Sequence, residues 1–158
     1  MTSPISRQAL IRLSNFVPYR LATLSNKISS AIAVAYSARF SLNIPQWRIL
    51  CILAEHPGIS AREVAEKTAM DKVAVSRAVN QLLDRELLRR NFDSGDRRRS
   101  ILELSDAGFE VYNQVAPYAL EYERRLLSEM TEEDVANLDR AIDALNASAD
   151  KISKEEEL

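Results

Sequence analysis

The stretch SAREVAEKTAMDKVAVSRAVNQLLDRELLRRNFDSGDRRRSILEL, residues 60–104, decides the fold. Its first four residues, Ser60-Ala61-Arg62-Glu63, form a capping box. The Ser60 hydroxyl can accept the backbone N–H of Glu63, whose carboxylate reaches back to that of Ser60. A helix to about Thr68 follows, Ala69-Met70 makes a turn, and Asp71 caps a second helix from Lys72 to about Arg85. Val75, Val79 and Leu82, with Ala78 and Leu83, supply the buried stripe of that second helix. Lys72, Ser76 and Asn80 lie four apart on the opposite side, with Val73 and Arg77 beside them. The runs 87–92 and 100–104 read as antiparallel strands around a loop that has Gly95 for its turn. The stretch is therefore a helix-turn-helix followed by a β-hairpin.

Everything outside it reads as helix. In residues 6–38, Leu10, Leu13, Val17, Leu21, Leu24, Ile28, Ile32 and Ala35 recur at three- and four-residue steps, the period of one helix face. Pro18 falls inside this pattern and removes one backbone hydrogen bond, so a kink or break is expected near residues 15–18. Pro45 suits the first turn of a helix to about Glu55, apolar almost all round and hence central. His56-Pro57-Gly58 ends it, and Ile59 is placed to pair with a hairpin edge. Ser105-Asp106-Ala107-Gly108 opens a helix to roughly Met130, with a bend expected near Pro117. Thr131 caps a last helix whose edge is Val135, Leu138, Ile142, Leu145 and Ile152, and residues 154–158 are expected to fray.

Composition narrows the class. A chain of 158 residues, 46% hydrophobic and with only three glycines, can bury a core unaided and is not a disordered tail. No apolar run approaches the roughly 20 residues of a membrane span, and the opening residues lack a signal-peptide hydrophobic region. A cytoplasmic location is expected, and the single Cys51 fits a reducing compartment. The net charge of −2 conceals an asymmetry: residues 71–100 carry eight Lys/Arg against five Asp/Glu, whereas residues 101–158 carry five against fifteen. A phosphate senses the local field, so an acidic overall balance does not exclude a nucleic-acid partner.

The polar face of the second helix has the chemistry for that partner. Arg can bond guanine O6 and N7 together, Asn can do the same with adenine, and Ser commonly bonds phosphate. Lys72, Val73, Ser76, Arg77 and Asn80 are thus candidates for contact with double-stranded DNA. An ordinary solvated helix face is the competing reading, and the position after a capped helix and a short turn favours DNA. At the hairpin tip, Arg97, Arg98 and Arg99 can straddle a minor groove or its phosphates, with Asp93 and Asp96 expected to brace them. Alternating side-chain direction prevents all three arginines from pointing one way, and Arg97 and Arg98 are preferred.

The run 60–104, followed by residues 105–108, resembles the MarR family of winged-helix transcriptional regulators. The resemblance is carried by the wing Asp93-x-x-Asp96-Arg97-Arg98, the helix segment Val75-Ser76-Arg77-x-Val79, and the junction Leu104-Ser105-x-x-Gly108. It implies a mainly α fold with a small β-hairpin wing: a DNA-binding winged helix-turn-helix at 41–104, flanked by dimerisation helices at 1–40 and 105–158. It further implies a homodimer on a pseudo-palindromic operator, acting as a repressor released by a small effector such as an aromatic acid or thioester. Family members bind such effectors between their dimerisation and DNA-binding parts, which makes Tyr19, Arg20, Tyr36, Phe40, Trp47 and Arg48 effector-binding candidates. Core packing plus surface arginine explains the same residues equally well.

Other chemistry is poorly supplied. Cys51 lies in an apolar helix, where burial lowers thiol reactivity, so a thiol-based redox sensor is the weaker alternative. His56, the lone histidine, has no His or Cys at metal-ligand spacing, and neither a metal nor a cofactor is expected. The chain contains no glycine-rich phosphate loop or nucleophile elbow, which argues against an enzyme. A winged helix that binds protein in place of DNA is the remaining rival.

Overall fold

The computed structural model describes residues 10–157, and the expected helix start at residues 6–9 lies outside them. Two compact units divide the chain, one running to Tyr118 and the other Ala119–Leu158.

Among the described residues, the first element is a single 3-10 turn, Leu13–Asn15, followed by α1, Val17–Ala33. Of the kink or break expected near residues 15–18, the break is what forms, at Phe16. Pro18 sits in the first turn of α1, where its missing N–H would have no helical partner anyway, so it starts a helix instead of bending one. A short α2, Ser37–Phe40, ends at Ser41 in the left-handed region. Next comes α3, Ile44–Glu55, opened by a capping box in which Asn43 and Gln46 exchange bonds.

The helix-turn-helix follows the expected plan. Ser60 and Glu63 exchange their capping bonds at the start of α4, Ala61–Thr68, and Ala69 turns the chain with φ +52°. The Asp71 carboxylate accepts the Ala74 N–H at 2.9 Å and caps α5, Lys72–Asp84. Strands β1, Leu88–Phe92, and β2, Ser100–Leu104, pair antiparallel with Leu88 opposite Leu104 and Phe92 opposite Ser100. Ile59 adds the expected bridge, pairing with Leu102 on the other side of β2.

The core lies where α3, α4 and α5 meet the hairpin. Ile49, Leu50 and Leu53 of α3 are fully buried together with Val64 of α4, Val75, Val79 and Leu82 of α5, and Leu102 and Leu104 of β2. Each such side chain contributes about 1.5–3 kcal/mol on leaving water. Tyr36, Trp47 and Tyr112 stack in series, with centroid separations of 5.4 and 5.8 Å.

Helix α6, Asp106–Leu126, is tied to the hairpin by its first turn. The Ser105 hydroxyl accepts the Gly108 N–H at 3.0 Å, its own N–H donates to the Leu87 carbonyl, and the hydroxyl donates to the Glu86 carbonyl at 2.6 Å. Gly108 lies so close that a Cβ would stand 2.1 Å from the Leu87 carbonyl oxygen. This contact is the physical reason for the serine and glycine of the Leu104-Ser105-x-x-Gly108 segment. Pro117 lies within α6.

The second unit holds the end of α6 and α7, Glu132–Glu156, opened by a Thr131–Asp134 capping box. The expected fraying from residue 154 is not seen, since the helix runs on to Glu156. Leu138, Ile142, Leu145 and Ile152 are exposed along one edge of α7, with Ala149 completing the spacing.

Gly108→Ala should destabilise the chain by about 2–3 kcal/mol, because the clash is with backbone that cannot swing aside. Urea unfolding measures it, and an unchanged midpoint would contradict the junction described.

Candidate nucleic-acid interface

Burying Val75, Ala78, Val79 and Leu82 turns the other side of α5 outward by helix geometry alone. Lys72, Val73, Ser76, Arg77 and Asn80 are all exposed, and Val73 is 65% accessible although apolar. The hairpin stands beside α5, joined to it through β1.

The tip of the hairpin is ordered by its own aspartates. Asp93 Oδ1 accepts the Gly95 N–H at 3.0 Å, and Asp96 Oδ1 accepts the Arg98 N–H at 2.9 Å. The bracing expected of them is therefore divided differently. Asp93 meets a guanidinium, but that of Arg99, with Oδ2 3.4 Å from Nη1. Asp96 meets none and shapes the loop backbone, because a short side chain folding onto an N–H two residues ahead is the cheaper local geometry.

Arg99 ties the wing to the start of α4. Its Nη2 donates to Glu63 Oε2, the same oxygen that accepts the Ser60 N–H at 2.8 Å and the Ser60 hydroxyl at 2.9 Å. Three donors on one carboxylate favour its charged form, and the Glu63 pKa falls to about 2, through the Ser60 backbone bond first and then Arg99. Among the described residues, the side chains of Arg97 and Arg98 form no ion pair or hydrogen bond. The role of Arg99 as a clamp was not readable from the sequence, since nothing in the spacing of residues 63 and 99 brings them together. Arg90 and Phe92, exposed on β1, are further surface groups that the sequence reading passed over.

The effector-binding candidates separate into two groups. Tyr36, Trp47 and Arg48 line one groove of about 140 Å³ with Ser29, Ile32 and Ile44. Arg48 Nη2 donates to the Ser29 hydroxyl at 3.0 Å across it. Tyr19, Arg20 and Phe40 do not belong to this groove. Tyr19 is exposed, Arg20 lies along the outer face of α1 with Val17, Leu21 and Leu24, and Phe40 sits under the Arg39 guanidinium at 5.0 Å. The helix start at Val17 places residues 19 and 20 more than two turns from Ser29, too far to share its groove.

Cys51 is partly buried, and desolvation pushes its thiol up to about 12, so almost none is thiolate near neutral pH. His56 lies 3.8 Å from Glu55, and no group of three potential metal ligands occurs among the described residues. No helix among them is long and apolar enough to cross a membrane.

A two-stranded wing, a capped helix-turn-helix and an outward basic helix face define a winged-helix protein. Residues 40–99 match the model of the MarR family. The HTH-type transcriptional repressor NicR of Pseudomonas putida is 35% identical over 74 residues, 47% of each chain, so the match spans about half the length of that relative. A MarR/EmrR family transcriptional regulator from Acinetobacter sp. ADP1 superposes with a TM-score of 0.82 at 27% identity, covering 89% of this chain and 99% of that one. MepR of S. aureus, solved as a DNA complex, superposes with a TM-score of 0.78 at 19% identity, covering 86% and 98%. Over residues 40–99 the chain is similar to the MarR family, and its fold is that of solved winged-helix regulators of that family.

The clamp sets a pH dependence. Because the folded pKa of Glu63 is depressed, its stabilising contribution is present above the unfolded value near 4.5 and is lost as pH falls through about 2. Carboxyl NMR should show Glu63 titrating near the lower value, and Arg99→Gln should move the midpoint upward. A midpoint that ignores Arg99 would remove the clamp.

Proposed function

We propose that the chain is a DNA-binding repressor that works in the cytoplasm as a homodimer, with no catalytic step. The observation that carries this reading is the pairing of an exposed Lys72-Val73-Ser76-Arg77-Asn80 face with a wing whose Arg97 and Arg98 side chains have no partner among the described residues. Helix α5 enters the major groove. Arg77 reads guanine, Asn80 adenine and Val73 a thymine methyl, while Lys72 and Ser76 hold phosphate. Arg97 and Arg98 follow the neighbouring minor groove or its phosphates, and Asp96 shapes the loop that presents them. A protein-binding winged helix would have less use for guanidinium groups without counter-ions.

Two apolar surfaces support the homodimer. Leu21 and Leu24 are about half exposed on α1, and the α7 edge 138-142-145-149-152 alternates steps of four and three, the spacing of a helix-pairing seam. Two copies on a two-fold axis would present their α5 helices to half-sites about one helical turn apart, which supports a pseudo-palindromic operator.

The groove beside Trp47 supports a small effector. It combines an aromatic wall, the Tyr36 ring and the Arg48 cation, which suits a carboxylate on a ring. Its 140 Å³ falls below the roughly 300–1,000 Å³ of ordinary ligand pockets, favouring a single-ring acid over a thioester in this conformation. The suppressed thiolate of Cys51 supports an effector in place of a redox signal.

On a duplex selected from random sequence, Arg77→Ala should cost about 1–3 kcal/mol and relax discrimination at one base pair. Arg98→Ala should weaken all duplexes alike and lower the slope of log affinity against log salt by about 1. If neither substitution weakens binding, the chain is not a DNA reader of this kind. Trp47 is the only tryptophan, so a benzoate series should quench its emission in the wild type and not in Arg48→Ala. Emission unchanged by every acid would leave the groove as core packing.

A further inference from the structure

The recognition helix is held at its far end by polar bonds that the DNA-reading face does not use. Among the described residues Gln46 is the buried polar side chain, 6% accessible, in the first turn of a helix that is mostly apolar. Both ends of its amide are engaged. Oε1 accepts the Asn43 N–H at 3.0 Å, and Nε2 donates to Gln81 Oε1 on α5 at 2.9 Å. One turn further along, Arg85 spreads its guanidinium over two successive carbonyls, donating from Nη1 to Ser41 at 3.1 Å and from Nη2 to Phe40. Those carbonyls close α2, where Ser41 is left-handed, and the end of a helix attracts a cation. Two points on the last turns of α5 are thereby fastened to residues 40–46, the corner between α2 and α3.

We propose that Gln46 and Arg85 are positioning residues for DNA recognition, locking the angle of α5 to the α2–α3 corner. This inference rests on the DNA-binding reading. Folding has little need of the amide pair: Ile49, Leu50 and Leu53 already pack α3 against the Val75, Val79 and Leu82 stripe, and an apolar side chain of similar size can replace a buried amide with small loss. Apolar contact is non-directional and leaves a helix free to roll or slide by fractions of an ångström. A hydrogen bond fixes direction, and the two links lie about one turn apart, which removes rolling as well as sliding. The corner also adjoins the groove through Ile44. Ile44, Trp47 and Arg48 flank Gln46 in sequence and line the groove against α1, so the first turn of α3 carries the groove on one side and the recognition helix on the other.

The test compares Gln46→Met, Gln81→Met, the double variant and Arg85→Gln with the wild type in two measurements. In the free protein, amide exchange at residues 83–87, closing α5, should quicken about tenfold in each variant, while amides 50–53 in α3 stay as they were. On a duplex selected by the wild type from random sequence, each substitution should weaken binding about tenfold, with the slope against salt unchanged. The double variant should lose no more than the worse single one, because both remove the same bond. Unchanged exchange overturns the link. A salt slope lowered by about 1 in Arg85→Gln, or losses that multiply in the double variant, overturns the positioning role in favour of direct DNA contact. Gln81 is on the exposed side of α5, so its variant decides the question should Gln46→Met fail to fold. A wild type that selects no duplex would refute the DNA-binding reading, and the exchange measurement would still decide the link.

Discussion

The packing of α3 on α5 is the constraint from which the rest follows. Ile49, Leu50 and Leu53 meet Val75, Val79 and Leu82 with no accessible surface or almost none, and a helix can bury one such stripe only by turning its other side outward. That single choice presents Lys72, Val73, Ser76, Arg77 and Asn80 together. It also explains why a polar residue is admitted to the interface at one end. Gln46 lies where the apolar stripes run out, and Gln81 completes its hydrogen bonding.

A second constraint is electrostatic. The wing concentrates three consecutive arginines, whose mutual repulsion opposes a tight tip. Asp93 and Glu63 draw Arg99 back toward α4, and the two aspartates accept the Gly95 and Arg98 N–H groups of the loop. The consequence is selective. One cation is spent on holding the wing against the helix-turn-helix, and two remain available to an anionic surface. An exposed ion pair usually adds little stability, so the value of this one lies in geometry.

Much of the site was legible because its signals are local. Capping boxes act over three residues, which is why Ser60–Glu63, Asp71 and Thr131 marked their helices correctly. Strand alternation and helical period likewise placed the hairpin and the exposed face of α5. Pro18 left kink and break both open, because proline is compatible with the start of a helix as well as with a kink and the apolar period continues across it. The aromatic cluster divides for a different reason. Tyr19, Arg20 and Phe40 share composition with Tyr36, Trp47 and Arg48, but only the latter share a groove.

By itself, the sequence determined the helices, the wing, the outward face of α5 and the family resemblance, since each rests on short-range periodicity, capping or motif spacing. The tertiary structure alone decided which charged and polar groups find each other across long separations. It brought Arg99 to Glu63 over 36 residues, Gln46 to Gln81 over 35, and Arg85 to the carbonyls of residues 40 and 41. Such pairs leave no period in the chain, because chain folding sets their distance and not the number of residues between them. The three arginines that open the description of the wing therefore divide into one structural clamp and two groups turned toward solvent, a division visible only once α4 stands beside them.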